Sequence, residues 1–369
     1  MVAMVEELGI EAATRRDALT EKLLGAALGM WDIYAVHVGH KLGLYASLAD
    51  IEPATAGELA AATTLSERYL REWLEYQAVS GILEVENAEA DAADRRFALP
   101  AGHGAVLVDV DDPNFLAPLA QIAVGAVKPV DGVIEAFRTG GGVPYEDYGL
   151  DLRDGQAGMN RNMFLQQLGR EYLPAIPDVH ARLSSPAGAR VADIGCGVGY
   201  SSVGIALAYP NATVEGFDLD PASVEAAQDV IRQFGVGSRV SVSLRDAGDP
   251  ALAGRYDLAA AFECVHDMSD PVGALRTMRR LAGEDGNVLV VDERASERFD
   301  PNAGDLERLL YGFSIFHCLP VGMADQPSVG TGTVMRPSTL RGYALEAGFR
   351  DLEVLPLENF FFRFYRLIG

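Results

Sequence analysis

The chain is 369 residues long and carries 30 Lys and Arg against 53 Asp and Glu, a net charge of −23. That length is enough for two domains of roughly 100–200 residues each, and a hydrophobic content of 49% supports a sizeable core and argues against wholesale disorder. So acidic a surface repels phosphate backbones and anionic membranes at long range, which disfavours nucleic-acid substrates and membrane partners.

No apolar run approaches the ~18 residues needed to span a bilayer. The start, Met1 to Glu7, is acidic where a secretory signal would be basic. Cys196, Cys264 and Cys318 lie far apart and make no CxxC pair, so zinc-finger spacing and a disulfide framework are both absent. A reducing cytoplasm is the expected setting.

Residues 1–110 read as a small, mainly helical domain. Apolar residues recur at helical spacing from Leu23 to Leu48. Thr55 then offers an N-cap with Glu58 three residues on, a capping-box pair. Ser66 opens a second helix to Ser80, with Leu70, Trp73, Leu74 and Ala78 on one face, and Gly81 ends it. Ile82–Val85 and Arg96–Leu99 read as two strands around an acidic loop. Helix, turn, helix and hairpin follow in the order of a winged helix. Residues 1–110 hold eight Lys and Arg against eighteen Asp and Glu, and the segment Ser66 to Glu75 has more acids than bases. A DNA reader needs a basic face to release counterions. A packing and dimerisation domain is therefore expected here, with Trp31 and Trp73 in its core.

Residues 111–187 read as a helical linker region with Gly and Pro breaks, including a helix from Met159 to Tyr172. From residue 188 to 369 strand and helix alternate. Strands are expected at Arg190–Ile194, Thr213–Asp218, Val240–Leu244, Leu258–Phe262 and Asn287–Val291, with a last pair near Asp351–Pro356 and Phe360–Tyr365. Helices are expected at Tyr200–Tyr209, Pro221–Phe234, Pro271–Leu281 and Ser338–Ala347. Such alternation predicts an α/β fold, a doubly wound Rossmann-like sheet with ligands at the carboxyl ends of its strands.

The most informative run is Val191-Ala192-Asp193-Ile194-Gly195-Cys196-Gly197-Val198-Gly199. It reads as a buried strand, a glycine turn and the start of a helix. Glycines at alternate positions let the backbone pass close to a bulky ligand. Asp193 stands where a phosphate binder would prefer a neutral or basic group, which favours a cofactor with a cationic or hydroxyl-rich end over a pyrophosphate. Asp193 can equally serve as a structural acid that holds the loop. Asp218 closes the second strand and can accept from a ribose diol, a feature shared with nicotinamide dinucleotide binders. Asp246 follows the third strand, placed either for an adenine amine or as an ordinary loop acid.

These successive segments, D-I-G-C-G-V-G, the acid at Asp218 and R-D-A at Asp246, resemble the motifs of class I S-adenosylmethionine-dependent methyltransferases. With the winged-helix region they resemble the small-molecule O-methyltransferase group, in which the N-terminal domain dimerises. The resemblance implies S-adenosylmethionine as cofactor, held by Asp193, Gly195, Gly197, Asp218, Leu219, Asp246, Ala247 and Phe262. It implies a homodimer and a small, partly aromatic or polyketide-like acceptor, with O-methylation preferred. C- or N-methylation is the near alternative, and a non-catalytic winged-helix sensor the distant one.

The fourth strand leads into Phe262-Glu263-Cys264-Val265-His266-Asp267-Met268-Ser269-Asp270. Its His-Asp pair is similar to the H-D-W-S-D segment of that group, where the His is the general base. An imidazole near pKa ~6.5 can take a phenol or enol proton at neutral pH, or the ring serves only the turn. Asp292 or Glu293 is placed to orient it, Asp292 falling where the group has a helper glutamate. The group's further helper acid has no counterpart in Thr333–Pro337. Met159–Met163 resembles an F-N-x-x-M segment, which makes Met163 either an acceptor contact or a core residue. His317 lies in an aromatic insertion after the fifth strand and lines a pocket or is simply buried. No paired Cys/His or clustered Asp set predicts a metal.

Overall fold

Helical spacing in the first third of the chain produces four successive helices. In a computed structural model, which describes residues 10–369, these are α1 (Ile10–Lys41), α2 (Leu44–Ile51), α3 (Ala56–Thr63) and α4 (Glu67–Val79). The acidic start, Met1 to Glu7, lies outside the described residues. The apolar run from Leu23 to Leu48 is broken at Leu42-Gly43 into α1 and α2. The capping box forms as expected: Thr55 Oγ1 accepts from the Glu58 amide at 3.2 Å and the Thr55 amide donates to Glu58 Oε2 at 2.8 Å, which satisfies two amides that a helix start leaves open. Ser66 stands at the N-cap of α4 without a side-chain bond. The wing is short: β1 (Glu84–Val85) pairs antiparallel with β2 (Phe97–Ala98). Leu44, Leu48, Leu59, Leu74 and Phe97 fill the core of this unit, with the Tyr45 hydroxyl donating to Gln77 Oε1 at 2.9 Å. Trp73 is buried in that core, but Trp31 is 54% exposed on α1, a correction to its expected burial.

A short helix, α5 (His103–Leu107), and α6 (Ala117–Val127) follow. The chain divides into two units at Val124 and Gly125. Most of the helical stretch expected over 111–187 therefore belongs to the second unit. There α7 (Val130–Thr139) and α8 (Tyr145–Asn162) lead into a wider, π-helical segment, Met163–Tyr172, and then α9 (Pro177–Leu183). Phe164, Leu168, Leu173, Val179 and Leu183 pack into one core of the sheet.

The sheet has seven strands: β3 (Ala189–Ile194), β4 (Ala212–Asp218), β5 (Val240–Leu244), β6 (Leu258–Phe262), β7 (Asn287–Glu293), β8 (Asp351–Val354) and β9 (Phe362–Ile368). Their order is β5-β4-β3-β6-β7-β9-β8. The first five run parallel, while β9 pairs antiparallel with both β7 and β8. The connecting helices are α10 (Tyr200–Ala208), α11 (Pro221–Gln233), α12 (Pro271–Ala282) and α15 (Pro337–Glu346). The insertion after β7 holds α13 (Asp305–Phe313), a π-helical turn Ser314–Cys318, and α14 (Leu319–Gly322).

Strands buried on both faces read as continuous apolar runs, and their period of two sends alternate residues to opposite cores. Val191, Leu258 and Ala260 face one, Ala192, Ile194 and Ala259 the other. The order reverses between β3 and β6, which opens a crevice at their carboxyl ends, the usual ligand position in such a sheet. Among the described residues no single helix is long and apolar enough to cross a membrane.

Candidate active site

The crevice holds a cavity of about 800 Å3, within the ~300–1,000 Å3 of small-molecule sites. Its floor is the glycine turn after β3. Gly195 is left-handed (φ 64°), and a Cβ there would stand 2.7 Å from Cys264 Sγ. Gly197 is also left-handed (φ 53°), yet a Cβ there would meet nothing within 4 Å. The first glycine is thus demanded by packing and the second leaves backbone bare toward open space. The Gly197 amide donates to Asp218 Oδ2 at 2.7 Å and the Asp220 amide to Asp218 Oδ1 at 2.9 Å. Both Asp218 oxygens are held in place by backbone before any ligand arrives.

Gly195, Gly197, Asp218, Leu219, Asp246, Ala247 and Phe262 all line this cavity. Asp193 does not. Its carboxylate is fully buried, and Oδ2 accepts from the Ser201 and Ser202 hydroxyls at 2.6 Å each. The direct cofactor contact expected of Asp193 is therefore corrected: strand alternation turns it under the loop, against the start of α10. Burial pushes its carboxyl up to about 6.

At the other end, β6 stops at Phe262, and Glu263 takes a left-handed backbone (φ 55°), a rare conformation for a residue with a Cβ and one that clusters at functional sites. Its carboxylate accepts from the Asn160 amide of α8, and burial pushes it up to about 7. Glu263, Asp267, Asn160 and Phe164 line the cavity as well. The sequence reading passed over Glu263, although it stands three residues before His266. Asn160 lies inside the Met159–Met163 segment, and its polar amide beside an apolar helix face was the available signal.

His266 sits in a short turn, Val265–Asp267, only 3% exposed and behind the cavity wall. Its Nδ1 lies 2.7 Å from Asp292 Oδ1 and 2.9 Å from Glu293 Oε2. Burial works against a charged imidazole, but the Glu293 and Asp292 carboxylates raise its pKa well above the usual value. One N–H cannot satisfy two carboxylates; burial accordingly drives Glu293 to hold a proton, while the imidazole beside Asp292 keeps that acid ionised. These three side chains also bring possible metal-ligand atoms within 4.8 Å of one another.

Met163 and His317 do not reach the cavity. Met163 packs in the sheet core. His317 meets Tyr148 edge-on and Tyr145 at a tilt, with ring centroids 4.9 and 5.8 Å away, and its Nδ1 is 3.3 Å from Cys318 Sγ. Burial lowers its pKa to about 3, so it is neutral. Tyr145 does line the cavity, so His317 supports the wall from behind.

A glycine turn after the first strand, an acid closing the second and a reversed β7-β9-β8 edge define a class I methyltransferase domain. Residues 185–318 match the family model described as a methyltransferase domain, and residues 31–109 match the Rv2258c-like winged HTH domain. The chain thus carries a methyltransferase domain preceded by an Rv2258c-like winged HTH domain. Norajmaline N-methyltransferase of Rauvolfia serpentina is 33% identical over 116 residues, 31% of this chain and 39% of that protein. The chain thus spans about two fifths of that relative's length. Among solved structures, mitomycin 7-O-methyltransferase is similar with a TM-score of 0.70 at 21% identity, over 96% of this chain and 99% of that one. Human N-acetylserotonin methyltransferase in complex with S-adenosylmethionine gives 0.69 at 17%, over 99% and 100%. At these identities the likeness is one of fold.

Proposed function

We propose that the protein transfers a methyl group from S-adenosylmethionine to a small, partly aromatic or polyketide-like acceptor, with oxygen the preferred target. The carrying observation is the glycine turn tied to Asp218. The bare backbone at Gly197 accommodates a bulky ligand, and the fixed Asp218 carboxylate suits a ribose diol. Asp246, Ala247 and Phe262 line the same cavity, in keeping with an adenine held by the first two and a methionine end near Phe262. When bound, S-adenosylmethionine supplies an electrophilic methyl on a positively charged sulfur. Asp193 holds the turn from beneath through Ser201 and Ser202.

His266 is the base in this reading and Asp292 the acid that orients it. With Nδ1 committed to Asp292, any proton the ring exchanges with an acceptor moves at Nε2, and the ring serves as a base from its neutral form. The residues flanking the turn, Glu263 and Asp267, line the cavity itself. The reading invokes no metal ion. It sets the protein in a reducing cytoplasm, in keeping with three unpaired cysteines.

A homodimer is part of the proposal. Leu19, Leu23, Leu24, Leu28 and Trp31 on α1 are each more than half exposed, a stripe of a kind that marks an interaction surface; a second copy covers it. The deciding experiment is calorimetric titration of the folded protein with S-adenosylhomocysteine, the demethylated product. Micromolar, one-to-one uptake is expected; absence of uptake would falsify the enzymatic reading.

A further inference from the structure

The cavity wall carries eight carboxylates and two guanidiniums. Four of the acids, Glu146, Asp246, Asp270 and Asp325, are exposed at its rim. The deeper ones differ in how their charge is met. Asp218 has two backbone amides. Asp220 caps α11 through the Ser223 amide at 2.8 Å and has Arg153 at 3.8 Å. Glu263 is met otherwise. Besides burial, the strongest influences on it are His266, the Asn160 amide, Asp292 and Asp267: one imidazole, one amide and two further acids. That imidazole is already engaged by Asp292 and Glu293. A carboxylate half-buried in the wall of an open cavity, with no ion pair to a guanidinium or ammonium among the described residues, is electrostatically incomplete.

We propose that the acceptor carries a protonated amine and that Glu263 is the residue that reads it. This rests on the methyltransferase reading above and narrows its substrate class. Glu263 belongs to the acceptor end by position: it precedes the His266 turn and is anchored to α8, whereas the acids expected to hold the cofactor close β4 and β5. Its left-handed backbone and the Asn160 bond fix where the carboxylate stands. A fixed carboxylate within a low-dielectric wall attracts an ammonium far more strongly than a hydroxyl of the same shape. The amine is a recognition element, whichever atom receives the methyl group.

The test uses the full chain saturated with S-adenosylhomocysteine and titrated with three aryl-ethylamines: phenethylamine, tyramine and tryptamine. The matching aryl-ethanols serve as neutral counterparts. At least one amine binds tenfold or more tightly than its alcohol to the wild type. Glu263→Gln reduces that preference to under twofold, and Glu263→Asp, which keeps the charge, retains most of it. Affinity for S-adenosylhomocysteine reports the cofactor end and the fold in each variant. Three results overturn the proposal: no amine is preferred, the preference survives in Glu263→Gln, or that variant loses tenfold in S-adenosylhomocysteine affinity while Glu263→Asp does not, which would assign Glu263 to the cofactor. Failure of the wild type to take up S-adenosylhomocysteine overturns the methyltransferase reading itself, and this inference with it.

Discussion

The two ends of the cavity solve the same electrostatic problem in opposite ways. At the glycine turn, Asp218 is satisfied by backbone amides of Gly197 and Asp220, and Asp193 beneath it by two hydroxyls. There the hydrogen bonds of Asp218 are settled before a ligand binds, and only Asp193 Oδ1, buried beneath the turn, is left without a partner. At the His266 turn, four acidic side chains, Glu263, Asp267, Asp292 and Glu293, are gathered around one imidazole, and Glu263 sits on strained backbone. The first end is built to receive one invariant partner and can be complete in advance. The second keeps charge unresolved, so that what binds there decides where protons go.

The largest effect that sharpens this contrast comes from His266→Ala. If the acceptor end performs general-base chemistry, turnover falls by about 10²-fold or more, while S-adenosylhomocysteine affinity stays within threefold. Full turnover in the variant would break the contrast at its chemical end, leaving the ring a structural role. Asp218→Ala acts on the other end. It leaves the Gly197 and Asp220 amides without their acceptor and removes the proposed ribose contact, which by the worth of charge-assisted hydrogen bonds costs about 1.5–3 kcal/mol. Calorimetry should show product affinity ten- to a hundredfold weaker; an unchanged affinity would displace the cofactor from this acid.

The smallest effect is one of stability. Burial raises the Asp193 carboxyl to about 6 in the folded protein, against about 3.9 in an unfolded chain. The folded state therefore binds the extra proton, and stability from this group falls as pH rises from about 4 to 6, then levels off. Asp193→Asn keeps an acceptor for the two serines and removes the buried charge. Relative to wild type it gains up to about 3 kcal/mol between those limits, read from thermal melts at successive pH values. A pH-independent difference would mean that Asp193 is ionised without penalty.

The sheet was legible because its strands are short apolar runs separated by helical periods. The ends of β5 and β6 fall where the pattern puts them, at Val240–Leu244 and Leu258–Phe262. The lining at Gly195, Gly197, Asp218 and Phe262 follows from standing at strand ends, which a linear pattern marks directly. Contacts across long separations left no such mark. Asn160 and Glu263 are 103 positions apart, and no local periodicity joins them. Asp193 was misplaced for a different reason. Its acidity was visible, but its direction depends on sharing a sheet face with Val191, and the serines that take it up belong to the next helix. Asp292 and Glu293 were alternatives for the acid beside His266, and both reach its Nδ1. Neighbours in a regular strand point to opposite faces, and here the strand's end lets both converge.

The π-helical stretch Met163–Tyr172 continues α8 without a break, and it sets the phase between two surfaces. Wider turns arise where one extra residue is accommodated within an α-helix. Removing a single residue there would restore ordinary winding and rotate everything upstream by about 100° relative to the sheet. Asn160 would swing off Glu263 while Leu168 and Leu173 kept their seats. The bulge acts as a gear tooth: it lets one rod present its polar side to the ligand and its greasy side to the interior, at angles that a regular spiral could not satisfy together.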